Sequence, residues 1–464
     1  MLRLLKQYFP IRNILFFIIE GFVIFGSFLL ATLLLTQENS FLIDIFLCLR
    51  ILLITIICQI CLYYNDLYDL KVVSTLTEVN IRLLQSLGIT SIALAFLYWI
   101  FPVIIIDQFI FILSIFFLIV FIFSWRVLYL FIIKKGLFNE NLILLGSSPL
   151  AFDILNEIRR TIDCGYSVSI IIPDAEDELI DKKISENIIV RKEKKDLCST
   201  AKDMGIKKVI VALKEQRGLF PTDELIHCRT AGIEVIEGSS FYEMLTGKVL
   251  VTKIKPSWLI FSDGFRKSKT KTFVKRTEDI LISLTMLILL FPLMFIVSLL
   301  IKLDSRGPVF FLQDRVGQNK KEYMMHKFRS MVKDAEKATG PVWAQTNDDR
   351  ITRVGRVIRK FRIDELPQLW DVLLGKMSMV GPRPERKHFT DELEQQIPFY
   401  SERFVVKPGL TGWAQVSFDY GATIEDAIEK LNYDLFYIKN LSITMDILII
   451  LRTVKTVIFG KGAR

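Results

Sequence analysis

The stretch KRTEDILISLTMLILLFPLMFIVSLLIKLDSRGP, residues 275–308, decides how the second half of this chain folds. Its apolar run over residues 280–301 is long enough to cross a bilayer, which takes about 20 residues. Pro292 stands at the centre of the run, where it removes a backbone donor and bends a helix. Basic residues flank both ends, and such flanks belong on the cytoplasmic side. We therefore predict a re-entrant helix that enters one leaflet and returns, with Pro292 as its hinge.

The charges beyond this run support that prediction. A crossing helix would place the following residues outside the cytoplasm, against the positive-inside rule. Those residues are rich in basic side chains close to the membrane: Lys302, Arg306, Arg315, Lys320, Lys321, Lys327 and Arg329. A proline-kinked helix that spans the bilayer is the alternative, because neighbouring helices can satisfy the freed carbonyl.

The composition of the whole chain is that of a membrane protein. Of its 464 residues 52% are hydrophobic, and the mean hydropathy is +0.40. Four apolar segments near the length of a spanning helix fill the first third, at residues 14–36, 41–64, 81–101 and 109–133. Basic residues flank them on one side only, so we predict a four-helix transmembrane bundle over residues 1–136 with both ends in the cytoplasm. The first segment is of spanning length, so we expect it to be retained.

Two charged residues and a cysteine pair interrupt the apolar bundle. Glu20 and Arg50 lie in antiparallel neighbours, so we predict an ion pair between them, with a functional pathway as the alternative. Cys58 and Cys61 form a C-x-x-C inside an apolar segment, where packing is a better interpretation than metal binding. The net charge of +9 suits a protein lying against anionic lipid, and it would also suit a nucleic-acid binder.

After residue 136, short apolar runs alternate with stretches of helical period. The runs lie at residues 142–145, 168–172, 188–190, 209–212 and 233–236. This alternation predicts a parallel sheet with covering helices, a Rossmann-like module over residues 137–240. Gly146 is the one glycine in the first turn, where a dinucleotide fingerprint carries several, so we expect a degenerate, non-catalytic module. Residues 241–275 would link it to the next domain.

A strongly basic helix is predicted ahead of the acidic motif of the last third. Apolar residues recur at helical spacing under a basic face: Ile351, Val354, Val357, Ile358 and Phe361 under Arg350, Arg353, Arg356, Arg359, Lys360 and Arg362. Such a helix lies in a headgroup layer. A core helix or a nucleic-acid-binding helix is the alternative, but the adjacent membrane segment favours the interface. Residues 442–459 predict a second interfacial or half-buried helix.

Directly after the basic helix come two carboxylates, Asp364 and Glu365. Nearby arginines lower carboxylate pKa values, so we expect both to stay ionised as metal ligands or as a nucleophile. Further on, two prolines in GPRP hold Arg383 in a fixed direction that suits phosphate binding. These motifs indicate a site for a phosphorylated ligand, with a divalent cation such as Mg²⁺.

A glycine-rich loop, KPGLTGWAQV, completes the set at residues 407–416. Gly409 and Gly412 allow close backbone approach, and Trp413 offers a stacking surface for a base. A turn-rich loop around a core tryptophan would look the same, so both interpretations stay open.

These motifs, in this order, resemble the catalytic domain of the monotopic phosphoglycosyl transferases, the bacterial polyprenyl-phosphate sugar-1-phosphate transferases. The resemblance covers residues 270–464 through KRTEDILISL, SRGPVFFLQDRVG, MHKFRSM, FRIDELPQLWDVLLGKMSMVGPRP and KPGLTGWAQV. The front half resembles the large exopolysaccharide-type members. The implied architecture is a membrane α-helical bundle, an α/β Rossmann-like module and an α-rich monotopic catalytic domain over residues 276–464 with a re-entrant helix.

The resemblance implies transfer of sugar 1-phosphate from a UDP-sugar to undecaprenyl phosphate, with release of UMP, to initiate exopolysaccharide or related glycan synthesis. Asp364 would be the nucleophile that forms a phosphosugar-enzyme intermediate, and Glu365 would hold Mg²⁺ with it. Arg359 is placed like the family arginine that meets a lipid phosphate. The other implied substrate-binding residues are Lys327, Arg329 and Arg383 on the phosphates, and Gly409, Gly412 and Trp413 around the nucleotide.

The same resemblance implies a multi-pass protein of the bacterial inner membrane whose catalytic domain faces the cytoplasm. Nucleic acid is not an expected partner, and a homo-oligomer stays open. The family often has a serine before its hinge proline; here the residue is Phe291, so the bend loses a hydroxyl that could cap it.

Two other functions stay open at this point. A membrane-anchored nucleotide-sugar dehydratase or epimerase can share a similar front half, but it needs a Tyr-x-x-x-Lys pair, and Tyr433 is followed at that spacing by Tyr437. A non-catalytic scaffold of polysaccharide assembly is the other, although the presence of both Asp364 and Glu365 argues against it.

Overall fold

The computed structural model describes most of the chain as two compact units. The described residues are 2–4, 7–9, 11–35, 45–68, 76–136, 139–161, 164–173, 188–190, 197–214, 220–253, 265, 268–332, 350–418, 421 and 423–458. One unit comprises Met1–Leu4 and Tyr8–Phe241, and the other Leu5–Gln7 and Tyr242–Arg464. Two short strands, β1 (Leu2–Leu4) and β2 (Gln7–Phe9), precede the first helix.

Four long apolar helices follow, as the sequence predicts. They are α1 (Ile11–Leu35), α2 (Ile45–Tyr64), α3 (Leu76–Ile100) and α4 (Gln108–Lys134). Each is long and apolar enough to cross a membrane. Cys58 packs in their shared core beside Leu62 and Ile122, so it is a packing residue as expected.

Glu20 pairs with Arg126 of α4, and the predicted pair with Arg50 is wrong. Nη2 of Arg126 lies 2.6 Å from Oε1 of Glu20, and both side chains are buried. Arg50 instead donates to the carbonyl of Ile105 at 3.4 Å. Glu20 and Arg126 lie at similar depths in the bundle. At 1.5 Å per residue, Glu20 lies about 14 Å from the start of α1, and Arg126 lies about 12 Å from the adjacent end of α4. Arg50 lies near the opposite end of the bundle, about 8 Å from the start of α2.

The rest of this unit is an α/β region around one parallel sheet. Its strands are β3 (Glu140–Leu145), β4 (Tyr166–Ile172), β5 (Ile189–Val190), β6 (Lys208–Val211) and β7 (Glu234–Glu237), in the order β5-β4-β3-β6-β7. The helices are α5 (Pro149–Arg160), α6 (Leu197–Asp203) and α7 (Thr222–Thr230). The turn after β3 packs tightly, because a Cβ on Gly146 would lie 2.2 Å from the carbonyl oxygen of Ala212.

The second unit is mainly helical. Its helices are α8 (Gly238–Thr246, which begins in the first unit), α9 (Lys269–Asp304), α10 (Arg353–Lys360), α11 (Gln368–Leu373), α12 (Lys387–Gln396), α13 (Trp413–Ser417), α14 (Ile424–Lys439) and α15 (Ile443–Ile458). Its strands form an antiparallel hairpin, β8 (Phe310–Val316) with β9 (Glu322–Phe328), and a parallel pair, β10 (Ser378–Val380) with β11 (Gly409–Thr411).

Part of the predicted linker 241–275 packs within this second unit. The backbone amides of Val249 and Val251 donate to the carbonyl and side-chain oxygens of Asn432, at 3.0 and 2.9 Å. Both valines are buried in the main core with Leu435. Residues 254–264, 266 and 267 of the predicted linker lie outside the described residues.

Helix α9 runs through Pro292 as one continuous helix, where the sequence analysis expects two halves. One face, which includes Ser283, Val297 and Ile301, is buried against the unit. The opposite face is exposed and apolar: Leu281, Ile288, Leu289, Phe291, Phe295, Ile296, Leu299 and Leu303. Packing on the buried face continues on both sides of the proline, at Leu290 and Met294.

Polar bonds tie both ends of α9 to the same body. Near its start, Asp279 accepts hydrogen bonds from the hydroxyl of Ser378 and the amide of Met379, each 2.9 Å. At its end, Asp304 accepts from the amide of Val354 at 3.0 Å, at the first turn of α10. Both ends of the apolar run of α9 are therefore anchored to this unit.

The predicted interfacial helices each divide into a packed side and an exposed side. In α10, Ile358 is buried against α9, whereas Val357 and Phe361 are exposed. In α15, Met445 and Ile449 are buried in the core. Its outer stripe stays exposed: Ile443, Ile447, Leu451 and Val454.

Candidate active site

The acidic pair sits on a tight turn between α10 and α11. Residues Ile363–Glu365 form one 3-10 turn, and Arg362 just before it adopts a left-handed φ of +53°. Ile363 and Leu366 pack toward Phe328 of β9. This anchoring places the two carboxylates beside the strand that carries Lys327.

Glu365 is buried inside a cage of cations. Its carboxylate lies 2.8 Å from Arg383 and 3.5 Å from Lys327 at one oxygen, and 3.8 Å from Arg362 at the other. Burial alone would raise the pKa of Glu365, but these three cations hold it well below its usual range. Glu365 is therefore a permanent anion that fixes the direction of the cations around it.

Asp364 differs from its neighbour in exposure and in pKa. It is only partly buried. Burial and the adjacent Glu365 carboxylate raise the pKa of Asp364 to about 6, although nearby cations oppose the shift. The expectation that the arginines lower both pKa values is thus correct for Glu365 and wrong for Asp364, because burial and the Glu365 charge outweigh the cations near Asp364.

Two arginines, Arg403, which is buried, and Arg315, which is half-buried, hold the GPRP loop that carries Arg383. Arg403 donates to the carbonyl of Arg383 at 3.0 Å, and Arg315 donates to the carbonyl of Pro384 at 2.9 Å. Arg403 is itself paired with Asp434 at 2.9 Å. Neither Arg315 nor Arg403 belongs to a recognisable motif, so the sequence alone does not predict these supports.

A second pair fixes β9 against α11. The buried carboxylate of Asp371 accepts from the backbone amide of His326 at 2.9 Å and contacts its ring Nδ1 at 2.8 Å. His326 directly precedes Lys327, so this two-point contact sets where the lysine reaches. Burial lowers the pKa of Lys327, against the pull of Glu365.

Arg329 is not brought into this cluster. Its guanidinium is buried at the end of α9, where Nη2 donates to the carbonyls of Ile301 and Ser305 at 3.3 and 2.7 Å. Helix ends leave such carbonyls without partners, and an arginine satisfies them well. The structure thus places the predicted phosphate ligand Arg329 in a capping position.

Arg359, in contrast, faces the carboxylates from the last turn of α10. It is partly exposed, and its charge counts among those that oppose the pKa rise of Asp364. Lys327, Arg359, Arg362 and Arg383 therefore outnumber the two carboxylates. The surplus positive charge suits a ligand with several phosphate oxygens.

The glycine loop packs on the GPRP loop through backbone alone. A Cβ on Gly409 would lie 2.1 Å from the amide nitrogen of Gly381, and one on Gly412 would lie 2.3 Å from its carbonyl oxygen. Trp413 is buried, donates to the carbonyl of Gly247 at 2.7 Å, and carries Arg452 over its ring at 4.8 Å. Of the two interpretations left open, this geometry is that of the core tryptophan.

Comparison with known proteins covers the part of the chain that carries this site. The family described as bacterial sugar transferase matches residues 270–460. The exopolysaccharide production protein PSS of Rhizobium leguminosarum bv. phaseoli is 44% identical over 195 residues, which are 41% of this chain and 98% of that protein. The chain belongs to the bacterial sugar transferase family. The resemblance to the phosphoglycosyl transferases is thereby confirmed.

Two further relatives are similar over 240 and 194 residues. The UDP-N-acetylgalactosamine-undecaprenyl-phosphate N-acetylgalactosaminephosphotransferase of Aeromonas hydrophila is 44% identical over 240 residues, 52% of this chain and 56% of that protein. The undecaprenyl-phosphate glucose phosphotransferase of Komagataeibacter xylinus is 43% identical over 194 residues, 41% of this chain and 36% of that protein. The similarity thus spans about half or less of these two relatives.

Proposed function

We propose that this chain transfers sugar 1-phosphate from a UDP-sugar to undecaprenyl phosphate, releases UMP, and so initiates exopolysaccharide or related glycan synthesis. The names of its relatives support an undecaprenyl-phosphate acceptor. The observation that carries the proposal is the cation cage around Glu365 beside the partly exposed Asp364. It combines a nucleophile with charges suited to a diphosphate.

Asp364 performs the first step as a nucleophile. One carboxylate oxygen forms a bond to the β-phosphorus of the UDP-sugar, and the bond from that phosphorus to the bridging oxygen breaks, which releases UMP. In the second step a phosphate oxygen of the lipid bonds to the same phosphorus, and the acyl phosphate bond to Asp364 breaks. A pKa of about 6 leaves Asp364 mostly ionised at pH 7.

Glu365 and its cations position the phosphates rather than react. Because Glu365 keeps its charge, Arg383 and Lys327 stay directed toward the acidic turn. Their positive charge balances the charge that develops on the leaving UMP oxygen. Arg359, nearer the exposed side, is the cation for the lipid phosphate.

Asp364 fits a resident Mg²⁺ better than Glu365 does. Mg²⁺ is usually held by one or two carboxylates together with substrate phosphates. Asp364 is partly exposed, whereas Oε1 of Glu365 is already 2.8 Å from Arg383. When bound, the ion would neutralise charge on the diphosphate. Asp364 would be its main protein ligand, with Glu365 beside it.

The membrane placement follows from α9. Its exposed face is apolar, while its start and end both bond to the body that carries Asp364. A helix whose two ends are held by one polar body dips into one leaflet and does not cross. The body then lies on the cytoplasmic side of a bacterial inner membrane, where the basic flanks belong.

We propose that the parallel sheet of the first unit is a degenerate, non-catalytic Rossmann-like module. Its strand order, 3-2-1-4-5 when the strands are counted along the chain, matches the first five strands of the order 3-2-1-4-5-6 of that fold. Its first turn carries one glycine, Gly146, where a dinucleotide fingerprint carries several, which supports a module that does not bind a dinucleotide.

Radiolabelled UDP-sugar incubated with membranes that contain the full chain tests the function. Label that becomes lipid-extractable, with equimolar UMP, is the expected result. An altered soluble sugar would support the dehydratase or epimerase, and unchanged substrate across a panel of UDP-sugars would support the scaffold; either result overturns the proposal.

A further inference from the structure

The loop after α11 brings two cations together away from the acidic turn. A Cβ placed on Gly375 would lie 3.3 Å from Nη2 of Arg276 and 3.5 Å from Nζ of Lys407. Both cations therefore lie over one glycine, whose φ is +83°. Two like charges this close repel each other unless an anion lies between them.

Arg276 is held rigidly at this position. Its two terminal nitrogens donate to the carbonyls of Val372 and Leu373, each at 2.7 Å. These carbonyls end α11 and have no partner within that helix. The guanidinium is thus both a helix cap and a fixed positive charge on the surface.

Lys407 has no carboxylate within 4 Å among residues 268–332, 350–418 and 423–458. Burial and the neighbouring Arg276 lower the pKa of Lys407, with Asp279 opposing. Asp279 is occupied by Ser378 and Met379. Lys407 is therefore a cation that would gain from an added anion.

Exposed apolar side chains shortly precede Gly375 in the chain. Trp370 and Leu374 are 50% and 52% exposed and stand one turn apart at the end of α11. Lys376, directly after Gly375, adds an exposed positive charge. Tryptophan beside lysine and arginine is typical of a membrane interface, where rings and basic groups meet lipid headgroups.

We propose that this surface, formed by Arg276, Lys407, Lys376, Trp370 and Leu374, binds the headgroup phosphate of an anionic phospholipid beside α9. The phosphate lies between the cations, and the glycerol and upper chains cover Trp370 and Leu374. A soluble phosphate would neutralise the cations but leave both apolar side chains in water. The proposal rests on the membrane placement of α9 given above, and not on the chemistry at Asp364.

The test uses the full chain in phosphatidylcholine nanodiscs that contain brominated phosphatidylglycerol or, at equal mole fraction, brominated phosphatidylcholine. Bromine quenches tryptophan on contact, and the difference between the unaltered chain and Trp370→Phe isolates the signal of Trp370. We expect stronger quenching of Trp370 by the anionic lipid. Lys407→Gln should reduce that preference about fivefold, since a basic residue near a membrane surface contributes roughly 1 kcal/mol.

Lys320→Gln is the matched control, because Lys320 is an exposed lysine of the same unit that pairs with Glu394. In this variant the stronger quenching of Trp370 by the anionic lipid should be unchanged. Equal quenching by the two lipids, or a preference that survives Lys407→Gln combined with Lys376→Gln, overturns the proposal. Loss of the preference on adding inorganic phosphate would assign the site to a soluble anion and overturns it too. UMP release, measured in the same nanodiscs, tests the proposed function separately. The lipid site and the proposed function can therefore fail independently.

Discussion

Nη2 of Arg383 lies 2.8 Å from Oε1 of Glu365, so the loop after β10 and the turn before α11 meet through one ion pair. The two residues are 18 positions apart in the sequence, and the carbonyl of Arg383 is held in turn by Arg403. This contact separates the roles of the two neighbouring carboxylates. Glu365 organises the cations, and Asp364 stays available.

Asp364→Asn should reduce UMP release by at least about 10³-fold, because the amide cannot form the acyl phosphate bond. The measurement is UMP produced per minute in membranes with equal amounts of protein. Asp391→Asn, which alters an exposed carboxylate on α12, serves as the control. Turnover within a few-fold of the unaltered chain would remove Asp364 as nucleophile.

The raised pKa of Asp364 predicts a pH dependence. Below about 6 the carboxylate becomes protonated, so kcat/KM should fall about tenfold per pH unit in the acid limb. The pH dependence of stability runs in the opposite direction to that of the rate. The raised pKa contributes stability that is fully present below pH 3.8, the ordinary pKa of an aspartate, and that is lost as the pH rises through 6. Asp364→Asn should therefore raise the Tm at pH 7 and leave it unchanged near pH 3.5. A rate that is flat between pH 5 and 7 would contradict the assignment.

Arg383→Lys should weaken catalysis while the fold persists. Lysine keeps the charge but loses the planar group that reaches Glu365, and a charged hydrogen bond contributes about 1.5–3 kcal/mol. The expected loss in kcat/KM is about 10- to 150-fold at an unchanged Tm. Lys387→Gln, an exposed residue four positions on, should be silent. An equal loss in both variants would mean that general charge, and not the Glu365 contact, is responsible.

The pair of Glu20 and Arg126 should be essential to the helical bundle. Removing one partner leaves a buried charge, which costs about 3–5 kcal/mol. Glu20→Gln and Arg126→Gln should each lower the amount of folded protein in membranes, and the exchange Glu20→Arg with Arg126→Glu should restore part of it. Exchanging Glu20 with Arg50 is the control, and a restoration there instead would contradict the structure.

The placement of α9 can be read by labelling single cysteines in a cysteine-free chain. Arg306 is exposed two residues after the end of α9, and Val103 is 79% exposed between α3 and α4. A membrane-impermeant maleimide added to intact cells should label Val103→Cys and spare Arg306→Cys until the membrane is opened. Labelling of both in intact cells would mean that α9 crosses the bilayer.

Features that depend on local composition follow from the sequence. The apolar segments predict α1 to α4, because about 20 apolar residues suffice for a membrane helix wherever they occur. The alternating strands of the middle region and the motifs around Asp364 and Arg383 are equally local. They identify the family before any contact is known.

Features that depend on distant contacts are decided by the tertiary structure alone. Glu20 pairs with Arg126 rather than Arg50 because depth in the bundle, not order in the chain, brings charges together. Arg329 caps α9, and Trp413 joins the core, because elements far away in sequence close around them. The different pKa shifts of Asp364 and Glu365 have the same origin: adjacent residues share a sequence environment, but only folding determines which of them the cations reach.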